Sequence, residues 1–330
     1  MMSCSFLQQC KNCYPNLDFE SKCSKLPFLD ITQKHLSPKQ WNYRYRISMR
    51  PNRNGFLGYY QPQSHQHVQI PNCGIAHSKI NEVLHQLSPL PFPIFQVDLK
   101  TNGKKVIGNI IDKKNLSKKQ REQLLSWANL LDGCSYNGKN IYKEASLSYH
   151  FGGIHHRISP NTFTQVNLDI NDILIERIVY FVDYFSPIQK IGDFFSGCGN
   201  LSFPLLQKGY DVEMIEMTPS SVKDATRNIK NYNFLGQCTI HQKDAFQFQA
   251  GDFFFDLAIL DPPRKGSLQT LQQILLTKPK GIIYVSCNPQ ALYQEMKYLT
   301  DYRCIALETF DMFPQTRHVE VLGVFERISS

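Results

Sequence analysis

From about residue 168 onward, short runs that are apolar throughout alternate with longer segments in which apolar residues recur every three or four positions. Runs of the first kind suit strands buried on both faces, and segments of the second kind suit crossover helices, so the rhythm predicts a parallel sheet. The predicted order is a helix over 168–185, strand KIGDFF at 190–195, a helix from Leu201, strand VEMIE at 212–216 and a helix from Pro219. It continues with CTIHQKD at 238–244, strand DLAILD at 256–261, a helix near 268–277, strand GIIYVS at 281–286, a helix near 289–299, and terminal strands near 303–310 and 319–326.

Residues 42–165 follow another pattern. Alternating segments flank Asn54-Gly55 and Asn102-Gly103, the turn pairs that close tight hairpins, so two hairpins are expected there. Helical spacing over 76–87 and 117–131 makes this half α+β and largely antiparallel. The expected fold class is α/β, a doubly wound domain preceded by the α+β one. Three domains are expected: 1–75, a cysteine-bearing segment with the first hairpin; 76–165, a central α+β domain; and 166–330, the doubly wound domain. No internal repeat and no Gly/Ser linker divides the halves.

The chain has 330 residues, 42% hydrophobic and 19% charged, which excludes a disordered or collagen-like protein. No run of about 18 apolar residues occurs, and the start MMSCSFLQQCKNCYPN lacks a basic and then apolar leader, so a cytoplasmic protein with no membrane association is expected. Charge changes this picture. Residues 1–165 carry 21 Lys and Arg against 9 Asp and Glu, whereas residues 166–330 carry 15 against 19. The excess concentrates in 98–122, at Lys100, Lys104, Lys105, Lys113, Lys114, Lys118, Lys119 and Arg121. A lysine run alone is an ordinary solvated helix face, but the asymmetry between halves favours a nucleic-acid partner, because neutralised phosphates release counterions.

Ten cysteines without a secretory leader imply reduced thiols, metal ligation or catalysis. Cys4, Cys10 and Cys13 lie within ten residues, on a loop able to wrap a metal centre if a fourth ligand arrives. Cys73 in IPNCGI is one candidate for that ligand and Cys23 is another. Cys134, Cys198, Cys238 and Cys304 read as packed thiols, His155-His156 and His65-x-His67 as surface or turn histidines, and Trp41 and Trp127 as packing residues.

The first strand of the second half runs into Asp193-Phe-Phe-Ser-Gly197-Cys-Gly199, and the second ends in Glu216. Glycines at such a turn let backbone approach a ligand, and a carboxylate closing the second strand suits the ribose hydroxyls of an adenosine cofactor. The position of a third glycine holds Ser202, which disfavours a dinucleotide and favours a nucleoside cofactor such as S-adenosylmethionine. Asp193, Gly197, Gly199 and Asp244 are candidate cofactor residues, with Asp244 placed toward the adenine amino group. Strand four runs into Asp261-Pro-Pro-Arg264-Lys-Gly, strand five into Ser286-Cys287-Asn-Pro, and the tail holds DMFPQTRHVE ending at Glu320. All fall at or near the edge of the sheet where open α/β folds bind ligands.

With these motifs in order, the chain resembles the S-adenosylmethionine-dependent RNA uracil-5 methyltransferases. The likeness covers FTQVN at 163–167, DFFSGCGNLS, the strand end IE, DPPRKG, YVSCNP and DMFPQTRHVEVL, spanning 163–322. The cysteine pattern and YRYR at 43–46 extend it toward the branch that acts on 23S ribosomal RNA and carries a 4Fe-4S cluster. The resemblance implies a Rossmann-like methyltransferase domain at 166–330, an RNA-binding role for 76–165, and a cluster held by Cys4, Cys10, Cys13 and Cys73. It also implies that Gln165, Phe195, Glu216 and Asp261 contact the cofactor, while Phe163 and Arg264 are the candidate substrate contacts. The cysteine loop departs from the family by reading CKNC where a glycine pair is common, and no TRAM-like oligonucleotide-binding domain is expected ahead of it. A monomer is expected.

The chemistry accounts for the same residue types. Carbon 5 of uracil becomes nucleophilic once a thiolate adds to carbon 6, and Cys287 is the candidate nucleophile. A free thiol titrates at about 8.5, so the sulfonium charge or a nearby cation must favour its ionised form, and Arg264 is a candidate cation. Glu320 is the candidate base for the carbon 5 proton, whose removal lets the cysteine leave. An adenine or protein-glutamine methyltransferase would hold an aromatic residue where Arg264 stands, and a cytosine-5 enzyme would carry its cysteine on strand four. A non-enzymatic iron-sulfur RNA-binding module, or an enzyme acting on another RNA such as tRNA, are the alternatives.

Overall fold

The computed structural model describes residues 4–328. Helices α1 (Leu7–Cys10) and α2 (Phe19–Cys23) precede strand β1 (Gln33–His35). Then follow β2 (Arg46–Pro51), β3 (Leu57–Tyr60), β4 (His67–Gln69), α3 (Ser78–Gln86), β5 (Gln96–Thr101), β6 (Val106–Ile111), α4 (Lys118–Ala128), β7 (Gly133–Tyr136) and β8 (Lys139–Tyr142). Strands β2 to β8 form one seven-stranded sheet in the order β4-β3-β2-β5-β6-β7-β8. All neighbours are antiparallel except β6 and β7, the pair joined through α4, because a parallel pair needs a crossover. Asn102 closes the β5–β6 hairpin by accepting the N–H groups of Lys104 and Lys105 at 3.1 and 2.9 Å, with Gly103 at φ 85°. Ser117 and Gln120 form a capping box that starts α4.

A separate hairpin, β9 (Leu147–Phe151) and β10 (Ile154–Ile158), leads into α5 (Leu168–Tyr184). The doubly wound part follows: β11 (Lys190–Phe194), α6 (Ser202–Gln207), β12 (Asp211–Ile215), α7 (Pro219–Lys230), β13 (Cys238–His241), β14 (Leu257–Leu260), α8 (Leu268–Thr277), β15 (Gly281–Ser286), α9 (Pro289–Met296), β16 (Tyr302–Phe310) and β17 (Glu320–Arg327). Its eight strands lie in the order β1-β16-β17-β15-β14-β11-β12-β13. Strands β11 to β15 are parallel, while β17 runs antiparallel to both β15 and β16. Strand order reverses between β14 and β11, the switch point at which such sheets bind ligands.

Helix α8 and strand β15 begin and end where the sequence predicts. Strand β1 is unforeseen: three residues, QKH, pair in parallel with β16 and carry no alternation to read. Behind it, Phe19, Cys23 and Leu29 pack in one cluster with Phe194, Leu260 and Tyr284. Two lone residues depart from expectation. His156 is fully buried, because alternation along β10 turns Ile154, His156 and Ile158 to one face. Cys304 is exposed rather than packed. Lys100 is buried too, while the other cations of 98–122 are exposed. Among the described residues, no helix is long and apolar enough to cross a membrane.

Candidate active site

Beyond β11 the chain turns sharply. Phe195 holds φ 64°, Gly197 58° and Gly199 94°, the left-handed region in which side chains are strained. At Gly199 a Cβ would meet the Phe203 ring at 2.3 Å, so this turn packs against α6 only with glycine. Ser202, where a dinucleotide fold would hold its third glycine, donates to Asp193 Oδ2 at 2.5 Å. Burial pushes the Asp193 carboxyl up to about 7, against the Ser202 bond. Glu216 accepts the N–H groups of Gly197 at 3.0 Å and Thr218 at 2.6 Å, fixing the loop to the end of β12.

Gln165, Asp193, Phe195, Gly197 and Asp261 line one cleft at this turn, and Phe163 closes its side. Four of these come from the ends of β11 and β14; Gln165 and Phe163 arrive from the loop after β10. Asp244 stands outside the lining, capping a short 3-10 turn (Ala245–Gln247) through the N–H of Phe246 at 3.0 Å.

The register of the sheet brings the candidate nucleophile and base together. Ser286 pairs with Val321 across β15 and β17, so the next residues along, Cys287 and Glu320, are antiparallel neighbours at one edge. Asp261 and Arg264 come from the adjacent end of β14, and Asn288 Nδ2 donates to the Arg264 carbonyl at 2.9 Å. Burial pushes the Cys287 thiol above its ordinary value; Glu320 adds to the rise, Arg264 opposes it through charge and a hydrogen bond, and Asp261 adds again. Glu320, 3% exposed, is held well above the usual carboxylate range by burial and by Asp261, with Arg264 opposing. Asp261 is pushed up to about 7 by burial. The result is a buried carboxyl at Glu320, a half-buried thiol at Cys287 and carboxyl at Asp261, and an exposed guanidinium at Arg264, all beside the glycine-turn cleft.

Cys4, Cys10, Cys13 and Cys73 line a second cavity of about 610 Å³, which Arg44, Tyr59, Phe163 and His318 also reach. Burial, then Cys73, Cys4 and Cys10, push the Cys13 thiol up to about 12, with Arg44 opposing. Cys23 is elsewhere, its Sγ 3.5 Å from Thr309 Oγ1 in the other core, so Cys73 is the cysteine that joins the three. Among the described residues, no three His, Cys, Asp or Glu groups already stand at metal-holding spacing. The four thiols converge on one cavity, a donor set that suits a metal-sulfur centre.

Two neighbours of the site escaped the sequence reading. His318 Nε2 lies 3.2 Å from Arg264 Nη2, whereas the tail motif that contains it marks only Glu320 as chemically active. Arg46 lies over the Phe163 ring at 5.3 Å, a contact between distant segments that no local pattern signals.

Comparison with known proteins points one way. The family model described as tRNA (uracil-5-)-methyltransferase matches residues 26–328. A protein of Shewanella sediminis named 23S rRNA (uracil(1939)-C(5))-methyltransferase RlmD is 26% identical over 98% of this chain and 81% of its own length. One of the same name from Aromatoleum aromaticum is 27% identical over 90% of this chain and 76% of its own. The crystal structure of Pyrococcus abyssi tRNA (uracil-54, C5)-methyltransferase in complex with S-adenosyl-L-homocysteine superposes with a TM-score of 0.72, covering 93% of this chain and 82% of that one at 22% identity, which establishes likeness of fold.

Proposed function

This chain belongs to the tRNA (uracil-5-)-methyltransferase family, and from that premise we propose that it transfers a methyl group from S-adenosylmethionine to carbon 5 of a uridine in RNA, with 23S ribosomal RNA as the substrate class. The names of its relatives support the ribosomal choice. The observation that carries the chemistry is the meeting of Cys287, Glu320, Asp261 and Arg264 at the edge of the glycine-turn cleft.

Gln165, Asp193, Phe195, Gly197 and Asp261 would hold the cofactor, with Glu216 bracing the loop and Gly199 and Asp244 flanking it. S-adenosylmethionine supplies a sulfonium whose methyl is open to attack. Cys287 adds as thiolate to carbon 6 of the uracil, and Arg264 favours that ionised form by charge and hydrogen bond. Electron density then reaches carbon 5, the atom that takes the methyl. Glu320 removes the remaining proton from carbon 5, and the Cys287–carbon 6 bond breaks to restore the ring. A carboxyl held above its usual range is a stronger base once ionised than an ordinary one, so burial beside Asp261 serves the step. Phe163, exposed beside the cleft, offers a face for a base to stack on.

Cys4, Cys10, Cys13 and Cys73 are the proposed ligands of a 4Fe-4S cluster, whose metal–thiolate bonds would tie the amino-terminal loop to the turn at Cys73. Support comes from their shared cavity and the neighbouring Arg44. Protein purified without oxygen should contain about four irons per chain; stoichiometric zinc without iron would overturn the assignment. The function itself is tested by nucleoside analysis of 23S ribosomal RNA incubated with protein and S-adenosylmethionine. The expected product is 5-methyluridine at a single position, and methylated cytidine, methylated adenosine or no product would refute the reading.

A further inference from the structure

Phe163 and Gln165 reach the cleft from a loop, yet that loop is gripped from two sides. From the seven-stranded sheet, Lys100 of β5 donates Nζ to the carbonyls of Thr162 and, at 3.4 Å, Ser159. From α7, Asp224 Oδ2 accepts the Ser159 N–H at 2.6 Å and the Thr162 hydroxyl at 2.7 Å, while Oδ1 accepts the Ser159 hydroxyl at 2.6 Å. Lys100 is 2% exposed, and Asp224 and Thr162 are fully buried.

The lysine is out of place by the usual rules. A buried ammonium is costly unless a carboxylate meets it, and among the described residues no carboxylate lies within ion-pair distance of Lys100. Its cross-strand partner on β2 is Arg46, a second cation. An apolar side chain there would fill the space at less cost, so the donor's effect falls on the two carbonyls it meets. One residue past Thr162 stands Phe163, 57% exposed, with Arg46 above its ring and its carbonyl accepting from Cys198 Sγ at 3.9 Å.

We propose that Lys100 and Asp224 are positioning residues for methyl transfer: together they clamp the turn at residues 159–162 and thereby set Phe163 where the cofactor cleft meets the cysteine-lined cavity, and Gln165 in the cofactor cleft. The clamp also joins the two sheets, since Lys100 belongs to one and Asp224 to a helix covering the other. This inference rests on the reading of Gln165 as a cofactor contact and Phe163 as a uridine contact.

The test uses the full chain with S-adenosylhomocysteine as the probe, measured by calorimetry, alongside kcat and KM for RNA. Lys100→Met, which keeps the stem and removes the donor, is expected to weaken S-adenosylhomocysteine about tenfold and to raise the RNA KM more than it lowers kcat. Lys100→Arg, which restores donors, should return both to within about threefold. If Lys100→Met does not fold, Thr162→Val, which removes only the hydroxyl held by Asp224, should shift the same two quantities by about threefold. Gln165→Ala separates the premise from the inference. Wild-type binding in Lys100→Met, or in Thr162→Val should that be the folded variant, together with weakened binding in Gln165→Ala overturns the clamp and leaves the cofactor reading standing. Wild-type binding in Gln165→Ala as well overturns both.

Discussion

Lys22 Nζ lies 2.6 Å from Asp311 Oδ1, an ion pair that spans 289 positions of sequence and leaves neither side chain more than 2% exposed. Lys22 also donates to the carbonyl of Phe313 at 3.1 Å, Tyr43 donates its hydroxyl to that of Pro314 at 2.8 Å, and Tyr14 donates its N–H to that of Gln315 at 2.7 Å. The segment between β16 and β17 is therefore held by the cysteine-bearing start of the chain. That segment leads directly into His318 and Glu320, so the two ends of the protein build one side of the site.

Removing one partner of a buried pair leaves an uncompensated charge, which costs more than the pair contributes. Lys22→Met is expected to lower the unfolding free energy by about 3–5 kcal/mol, and adding Asp311→Leu should recover most of that loss. Urea unfolding of the two variants checks this. Gln40 Nε2 also donates to Asp311 Oδ2 at 3.3 Å, and a Lys22→Met protein as stable as wild type would show that this bond alone satisfies Asp311.

The Cys287 thiol carries a reactivity signature. Because burial, Glu320 and Asp261 raise it and Arg264 opposes them, alkylation by iodoacetamide should still be climbing with pH above about 8.5. Arg264→Met should move the curve further alkaline by about one unit, and Glu320→Gln should move it the other way. Mass spectrometry of the Cys287 peptide follows the rate residue by residue. A plateau reached below neutrality, or curves that coincide, would separate these groups from the thiol.

His156 stacks between Phe151, with ring centroids 3.9 Å apart, and Phe203 at 5.2 Å, and neither ring nitrogen has a partner among the described residues. Burial pushes its titration down to about 3, whereas in the unfolded chain it titrates near about 6.5. As pH falls, the unfolded chain takes up this proton first. Stability is therefore full above about 6.5 and declines by about 1.4 kcal/mol per unit from there toward 3. His156→Phe should keep the stacking and remove this part of the acid sensitivity. Denaturation at pH 7 and pH 5 provides the comparison, and an equal loss in both proteins would count against a neutral buried imidazole.

The exposed lysines of the first half make a separable claim. Replacing Lys113, Lys114, Lys118 and Lys119 with glutamine should weaken RNA binding and reduce the salt slope by up to about 3, since each lost phosphate contact releases fewer counterions. Filter binding across a salt series measures the slope. An unchanged slope would mean that this run is solvated in the complex as well.

How much of this was legible from the sequence depended on whether the cause was local. Buried strands such as β15 and the helix α8 are written in continuous apolar runs and regular spacing, and structure and sequence agree there to the residue. The glycine turn and the strand-end motifs were legible because backbone freedom and edge position are local properties. In the sequence Lys100 is one more cation in a lysine run, because nothing in DLKT reveals that β5 turns it under the loop at 159–162. His318 escaped for the same reason: its partner, Arg264, is 54 positions away. Strand β1 is too short and polar to announce itself, and only pairing with β16 makes it a strand.

The adjacency of Cys287 and Glu320 carries the mechanism, and one gel tests it. Addition of the thiolate precedes methyl transfer, whereas proton removal follows it, so the two substitutions must fail at different points. Glu320→Gln incubated with 23S ribosomal RNA and methyl-labelled S-adenosylmethionine should accumulate a covalent protein–RNA adduct that bears the label and survives denaturing electrophoresis. The double variant Cys287→Ala/Glu320→Gln should give none, while Cys287→Ala alone should form no methylated product. A labelled adduct that persists without Cys287, or wild-type turnover by Cys287→Ala, would contradict the account.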